Sequence, residues 1–193
     1  MRLGILGGTF NPIHIGHLIL AECARQQCRL DQVWFVPAAT PPHKASPQLL
    51  PGATRLALIR LAIAGHPAFR ASDLELKRGG VSYTIDTVLE IKRRHPAAQL
   101  VLIVGSDLLR VRWYRLEELA RLCTFAVAER PTAALLRRRF PRMQRLAMLT
   151  IGISSSAIRA RLRHGRSIRY LVPDAVAAAL QRHRGFQRGT ASA

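Results

Sequence analysis

Acidic side chains are scarce in this sequence: 11 Asp and Glu stand against 30 Lys and Arg over 193 residues, a formal charge of +19. So few carboxylates leave little material for a metal cage built from protein ligands alone. Aromatic residues make up only 6%, and none are interleaved with the basic residues as they are in single-stranded RNA readers. Cysteine is nearly absent. Cys23, Cys28 and Cys123 lack the paired spacing of a zinc site and read as buried, reduced thiols of a cytoplasmic protein. A long apolar run is missing as well. Near the N-terminus Asn11, Pro12, His14 and His17 interrupt the apolar stretch, which excludes a signal-peptide core and a membrane span there. No internal repeat is visible.

What is present is enough for a folded domain. Hydrophobic residues make up 49% of the chain and charged ones 21%, a balance that supports a real core at this length. The positive surplus favours anionic partners such as nucleotides or nucleic acid, or it simply covers a solvated surface, because Arg is spread through every segment.

Along the chain, residues 2–6 form an apolar strand that ends in Gly7-Gly8, and a helix pattern begins at Ile15. Further strands are expected at 33–37, 69–76, 100–105, 123–128 and 146–152. Helices are expected at 53–64, 84–94, about 156–164 and 174–183. The run LVLIVG at 100–105 suits a strand covered on both faces. Alternating strands and helices predict an α/β fold: a Rossmann-like, doubly wound parallel sheet with its ligand at the carboxyl ends of the strands. One domain spans 1–183, with 154–183 as a small C-terminal helical extension and 184–193 as a flexible tail.

The strongest local signal is GGTFNPIHIGHL at 7–18. Glycines at 7 and 8 allow close approach of backbone to a phosphate. His14 and His17 lie three apart at a helix start, where backbone N–H groups and the helix dipole favour anions. A second element, ISSSAIR at 153–159, places Ser154, Ser155 and Ser156 at another helix start with Arg159 one turn in.

These two segments resemble the signature of the nucleotidyltransferase superfamily, shared with class I aminoacyl-tRNA synthetases. No Lys-rich KMSKS-like loop is visible, and the chain is too short for a synthetase. From residue 2 to about 183 the sequence is similar to the bacterial nicotinate mononucleotide adenylyltransferases. The strings that carry this are FVPAATPPHK, SDLELKRGGVSYTIDT, IVGSDLL, WYRLEEL and SIRYLVPDAV.

The resemblance implies adenylyl transfer from ATP to nicotinate mononucleotide, giving nicotinate adenine dinucleotide and pyrophosphate, with Mg²⁺ arriving on the ATP. It implies an ATP site of Gly7, Gly8, Thr9, Phe10, His14, His17, Ser154, Ser155, Ser156 and Arg159. His14, His17, His43, Lys44 and Arg159 would meet the reacting phosphates. Tyr83, Thr84 and Asp107 would line the mononucleotide pocket, with Trp113 stacked on the pyridine ring and Tyr114 as its neighbour.

Three departures from the family pattern stand out. Asn11 replaces a usual Asp, and Ser106 replaces a small or amide residue. Only residues 108–112 separate Asp107 from Trp113, about two fewer than expected, so the indole could be displaced and Tyr114 would then be its substitute. The short basic segment 129–145 reads as a contracted connection or part of a homo-oligomer surface. Two rival readings remain: a related transferase with another acceptor, and a nucleic-acid-binding protein that has lost catalysis.

Overall fold

A computed structural model describes residues 1–41, 49–105, 112–128, 143–148 and 151–182. Six strands form one sheet: β1 (Arg2–Gly8), β2 (Gln32–Pro37), β3 (Phe69–Ala71), β4 (Gln99–Gly105), β5 (Cys123–Ala128) and β6 (Met143–Leu146). Their order is β3-β2-β1-β4-β5-β6, and every pairing is parallel. The order reverses between β1 and β4, which makes the carboxyl ends of these two strands the switch point where ligands bind in open α/β sheets.

Seven helices are described: α1 (Ile15–Gln27), α2 (Gly52–Ala62), α3 (Leu74–Arg78), α4 (Thr84–Arg94), α5 (Leu116–Leu122), α6 (Ser155–Arg163) and α7 (Asp174–Arg182). They cover both faces of the sheet. On one face Leu20, Ala24, Leu58, Ile59, Ile158 and Val176 pack against Val33, Phe35, Val101 and Ile103. On the other, Ile85, Val88, Ile91 and Leu119 pack against Leu3, Ile5, Leu100, Leu102 and Val104. The branched run of β4 therefore divides its side chains between two cores. Each such side chain contributes about 1.5–3 kcal/mol through burial, and a single charge in that run would face a core whichever way it pointed.

Two expected strands are corrected. The stretch 69–76 is a strand only over Phe69–Ala71. The chain then turns, Ser72 Oγ accepting the Leu74 N–H at 3.4 Å, and the helix formers LELKR continue as α3 until Gly79 at φ +70. Helical winding buries Leu74 and Glu75 together, which an extended strand would place on opposite faces. The final strand lies at Met143–Leu146 rather than 146–152. Its polar MQRL sequence is tolerated because β6 is an edge strand with Arg145 exposed. Beyond it the Gln27 side chain donates to the Ala147 carbonyl (2.7 Å) and accepts the Ala147 N–H (2.9 Å). Helix α5 had no counterpart in the sequence reading. Of the thiols, Cys28 and Cys123 are buried, whereas Cys23 is half-buried, and all three are free. Among the described residues no helix is long and apolar enough to cross a membrane.

Candidate active site

The first turn of the site is built where β1 ends. A Cβ on Gly8 would meet the buried Phe10 ring at 3.3 Å, a tight contact that the ring would have to yield to. A Cβ on Gly7 would meet nothing within 4 Å, and that open space is available to a ligand. Phe10 sits at φ +47, a left-handed conformation costing roughly 1–2 kcal/mol for a residue with a side chain. Its ring is buried and lies edge-on to His17 at 5.0 Å. Phe10 thus supports an imidazole, and what it can offer a nucleotide is its backbone.

His14 and His17 come together as the sequence predicts. Their rings stack at 3.7 Å. The His17 Nδ1 accepts the His14 N–H at 3.2 Å, half of a capping-box arrangement at the start of α1. With Nδ1 occupied as acceptor, the proton of neutral His17 sits on Nε2, leaving that atom as the donor. Burial pushes the His14 imidazole down to about 4, so His14 is neutral near pH 7. Gly16 leaves room for this packing, since a Cβ there would lie 3.1 Å from His14 Nδ1 and press on the ring.

Helix α6 closes on the same turn. Ser154 caps it by accepting the Ala157 N–H at 3.2 Å. Ser155 Oγ donates to the Pro12 carbonyl (2.9 Å) and Arg159 donates to the Asn11 carbonyl (2.8 Å). Arg159 also donates to Ser156 Oγ at 3.2 Å, while its Nε is buried with no hydrogen-bond partner. Ser154 and Ser156 are exposed. Arg159 is therefore first a clamp on the turn, with donor capacity left over for an anion. The SIRYLVP string explains itself here: the Leu171 carbonyl accepts the Ile15 N–H at 3.0 Å, tying the C-terminal part to the first turn of α1.

The acceptor side is anchored through β2. Ala38 N–H reaches the Gly8 carbonyl (2.9 Å), Ala39 N–H reaches Ser82 Oγ (2.8 Å), and Ser82 N–H reaches the Thr40 carbonyl (3.0 Å). This sets Tyr83 and the half-buried Thr84 at the start of α4. Behind them Thr87 donates to the buried Glu75 at 2.6 Å, which fixes α4 against α3. The half-buried Trp113 indole packs against the core, edge-on to Phe125 at 6.0 Å. Tyr114 instead pairs with Tyr83, their ring centroids 4.6 Å apart and both rings partly exposed. His43, Lys44, Asp107 and most of the short connection before Trp113 lie outside the described residues, as does most of the basic segment 129–145.

Sequence reasoning missed Arg55. Its exposure is 1%. Nε donates to the Leu50 carbonyl (2.9 Å), NH1 to the Thr9 carbonyl (2.9 Å) and NH2 to the Ala39 carbonyl (3.5 Å). The signal was legible, because Arg55 shares a helix face with Leu58 and Ile59 at i+3 and i+4.

A turn at the end of β1, paired histidines at a helix start and a serine-rich helix clamped onto that turn all lie within a stretch matched by a known family model. The cytidylyltransferase-like model matches residues 5–161. A "probable nicotinate-nucleotide adenylyltransferase" of Synechococcus sp. (strain JA-3-3Ab) is 47% identical, covering 95% of this chain and 93% of its own. Another protein of that name, from Salinibacter ruber, is 44% identical over 95% of this chain and 96% of its own.

The chain belongs to the cytidylyltransferase-like family, among the nicotinate-nucleotide adenylyltransferases.

The fold agrees with that membership. The solved Plasmodium falciparum nicotinic acid mononucleotide adenylyltransferase complexed with NaAD superposes with a TM-score of 0.79, covering 93% of this chain and 94% of that one at 20% identity. In this family member, among the described residues, no group of three or more His, Cys, Asp or Glu could hold a metal ion.

Proposed function

We infer that the protein transfers an adenylyl group from ATP to nicotinate mononucleotide, giving nicotinate adenine dinucleotide and pyrophosphate for NAD synthesis. The observation that carries this is the turn at residues 7–17, held by α6 in a chain whose curated relatives bear that enzyme name. A phosphate oxygen of the mononucleotide attacks the α-phosphorus of ATP. The new P–O bond forms as the bond to the bridging oxygen breaks, and pyrophosphate departs in line with the electron pair. No covalent enzyme intermediate is needed, so catalysis consists of positioning and charge stabilisation.

His17 Nε2 and neutral His14 act as donors to the phosphate oxygens, where charge develops during transfer. The open space over Gly7 admits the polyphosphate, and Ser154, Ser156 and the remaining donor capacity of Arg159 bind its far side. The scarcity of clustered carboxylates fits Mg²⁺ entering as the ATP complex, as part of the substrate. On the acceptor side we assign the pyridine ring to the exposed Tyr83–Tyr114 pair, because the half-buried indole of Trp113 is turned edge-on to Phe125. The cytoplasmic location read from the sequence belongs to the same proposal and agrees with three free thiols.

The test is an acceptor panel with ATP and Mg²⁺, with products identified. Nicotinate mononucleotide should react faster than nicotinamide mononucleotide, and phosphopantetheine should give nothing. Turnover of phosphopantetheine, or no pyrophosphate from any mononucleotide, would overturn the assignment.

A further inference from the structure

Arg55 is a fully buried guanidinium whose partners are backbone carbonyls from three separate segments: the turn after β1, the exit of β2 and the entry to α2. Burying a cation is costly unless its donors are met. Here they are met by neutral oxygens, while the carboxylate of Glu75 acts only at longer range. A buried side chain needed only to fill space between α2 and the sheet would be apolar, as Leu58 and Ile59 on the same face are.

The bond from NH1 to the Thr9 carbonyl has a geometric consequence. A trans peptide is planar, and its C=O and N–H point to opposite sides. Among the described residues the cis bond is Asn11–Pro12, so Thr9–Phe10 is trans. With its oxygen drawn down to Arg55, this unit turns the Phe10 N–H away from the buried guanidinium. The same bond restrains the strained left-handed backbone of Phe10 (φ +47). A second tie strengthens the frame: Asn11 Oδ1 accepts the Leu50 N–H at 3.0 Å, so Leu50 is held through both its N–H and its carbonyl.

We propose that Arg55 is a positioning residue of the nucleotide site: it fixes the Thr9–Phe10 peptide so that the Phe10 amide meets a phosphate oxygen of ATP, and it places a positive charge beneath that phosphate. This rests on the reading of residues 7–17 as the ATP turn. Arg55 never touches the substrate and acts through the backbone it holds.

The experiment compares Arg55→Lys and Arg55→Met with the parent by calorimetric titration of α,β-methylene ATP with Mg²⁺, and separately of nicotinate mononucleotide. Losing hydrogen bonds from a charged group should weaken binding of the ATP analogue about tenfold or more in Arg55→Met. Arg55→Lys, which keeps the charge and fewer of the bonds, should fall between. Mononucleotide binding should stay within about twofold of the parent. Parental affinity for the analogue in a folded variant whose melting temperature has dropped would make Arg55 a core residue only and overturn the proposal, as would equal weakening of both ligands. If neither variant folds, the parent decides: the ¹⁵N–H resonance of Phe10 must shift on adding the analogue, and an unmoved resonance overturns the proposal. A parent that binds no ATP analogue at all would instead count against the proposed function.

Discussion

Replacing His17 by Asn separates its two jobs. The ring does structural work through Nδ1, which accepts the His14 N–H at 3.2 Å, and chemical work through Nε2. Asn places its carbonyl oxygen near the Nδ1 position and has nothing at Nε2. His17→Asn should therefore keep the cap, and with it the thermal stability, while losing the donor. Removing one preorganised donor typically costs about 3–4 kcal/mol of transition-state stabilisation, which is roughly a 100- to 1,000-fold loss in kcat.

His17→Ala loses both jobs. The missing cap costs a further ~1 kcal/mol of stability, about 2–4 °C in Tm for a chain of this size. The assay pairs pyrophosphate release under saturating substrates with thermal melts of the same preparations. If kcat of His17→Asn stays within about threefold of the parent, His17 is a helix-start residue alone, and the role given to Nε2 is wrong.

Further predictions concern the surroundings of this pair. Gly7→Ala should leave Tm unchanged, because the new Cβ meets nothing, yet raise the KM for ATP by filling the ligand's space; an unchanged KM would refute this. Gly8→Ala should lower Tm, since its Cβ presses on the buried Phe10 ring, and a melt distinguishes the two. Tyr114→Ala should raise the mononucleotide KM roughly 5- to 150-fold, the worth of a well-placed ring stack, whereas Trp113→Ala should mainly destabilise; the reverse pattern in steady-state kinetics would return the ring to Trp113. His14, held down to about 4 by burial against about 6.5 unfolded, takes up a proton more readily when unfolded. It contributes stability above pH 6.5 that is lost as pH falls toward 4, on the order of 3 kcal/mol. His14→Gln should flatten that part of the Tm–pH curve, and a curve as steep as the parent's would refute it.

Most of the sheet was legible because β1, β2, β4 and β5 are largely buried on both faces and carry mainly apolar runs. The elements misread were those whose pattern is set by neighbours. Polar β6 survives as a strand because it lies at an edge, and residues 74–78 wind as a helix whose buried Glu75 accepts a hydrogen bond from the distant Thr87. At the site, the residue types that bear chemistry announced themselves: His14 and His17, and the serines before Arg159. Their supports did not. Asn11 reads as a turn residue, yet its side chain and its carbonyl bind two distant segments. Nothing in the spacing of Trp113 and Tyr114 could say which ring would pack edge-on against Phe125.

The ties from Ser155, Arg159 and Leu171 back to residues 11–15 impose an order in time on synthesis. Residues 9–17 are among the first made, but these three of the groups that hold them in place are among the last. At ribosomal rates of about 5–20 residues per second, roughly 10–30 s pass between making His17 and making Leu171. During that interval the sheet can assemble strand by strand while the turn lacks its clamp. A nascent chain therefore has its strands well before it has a competent site, and loss of the last two helices would remove both the clamp on the turn and the Ile158 and Val176 packing on one face of the sheet.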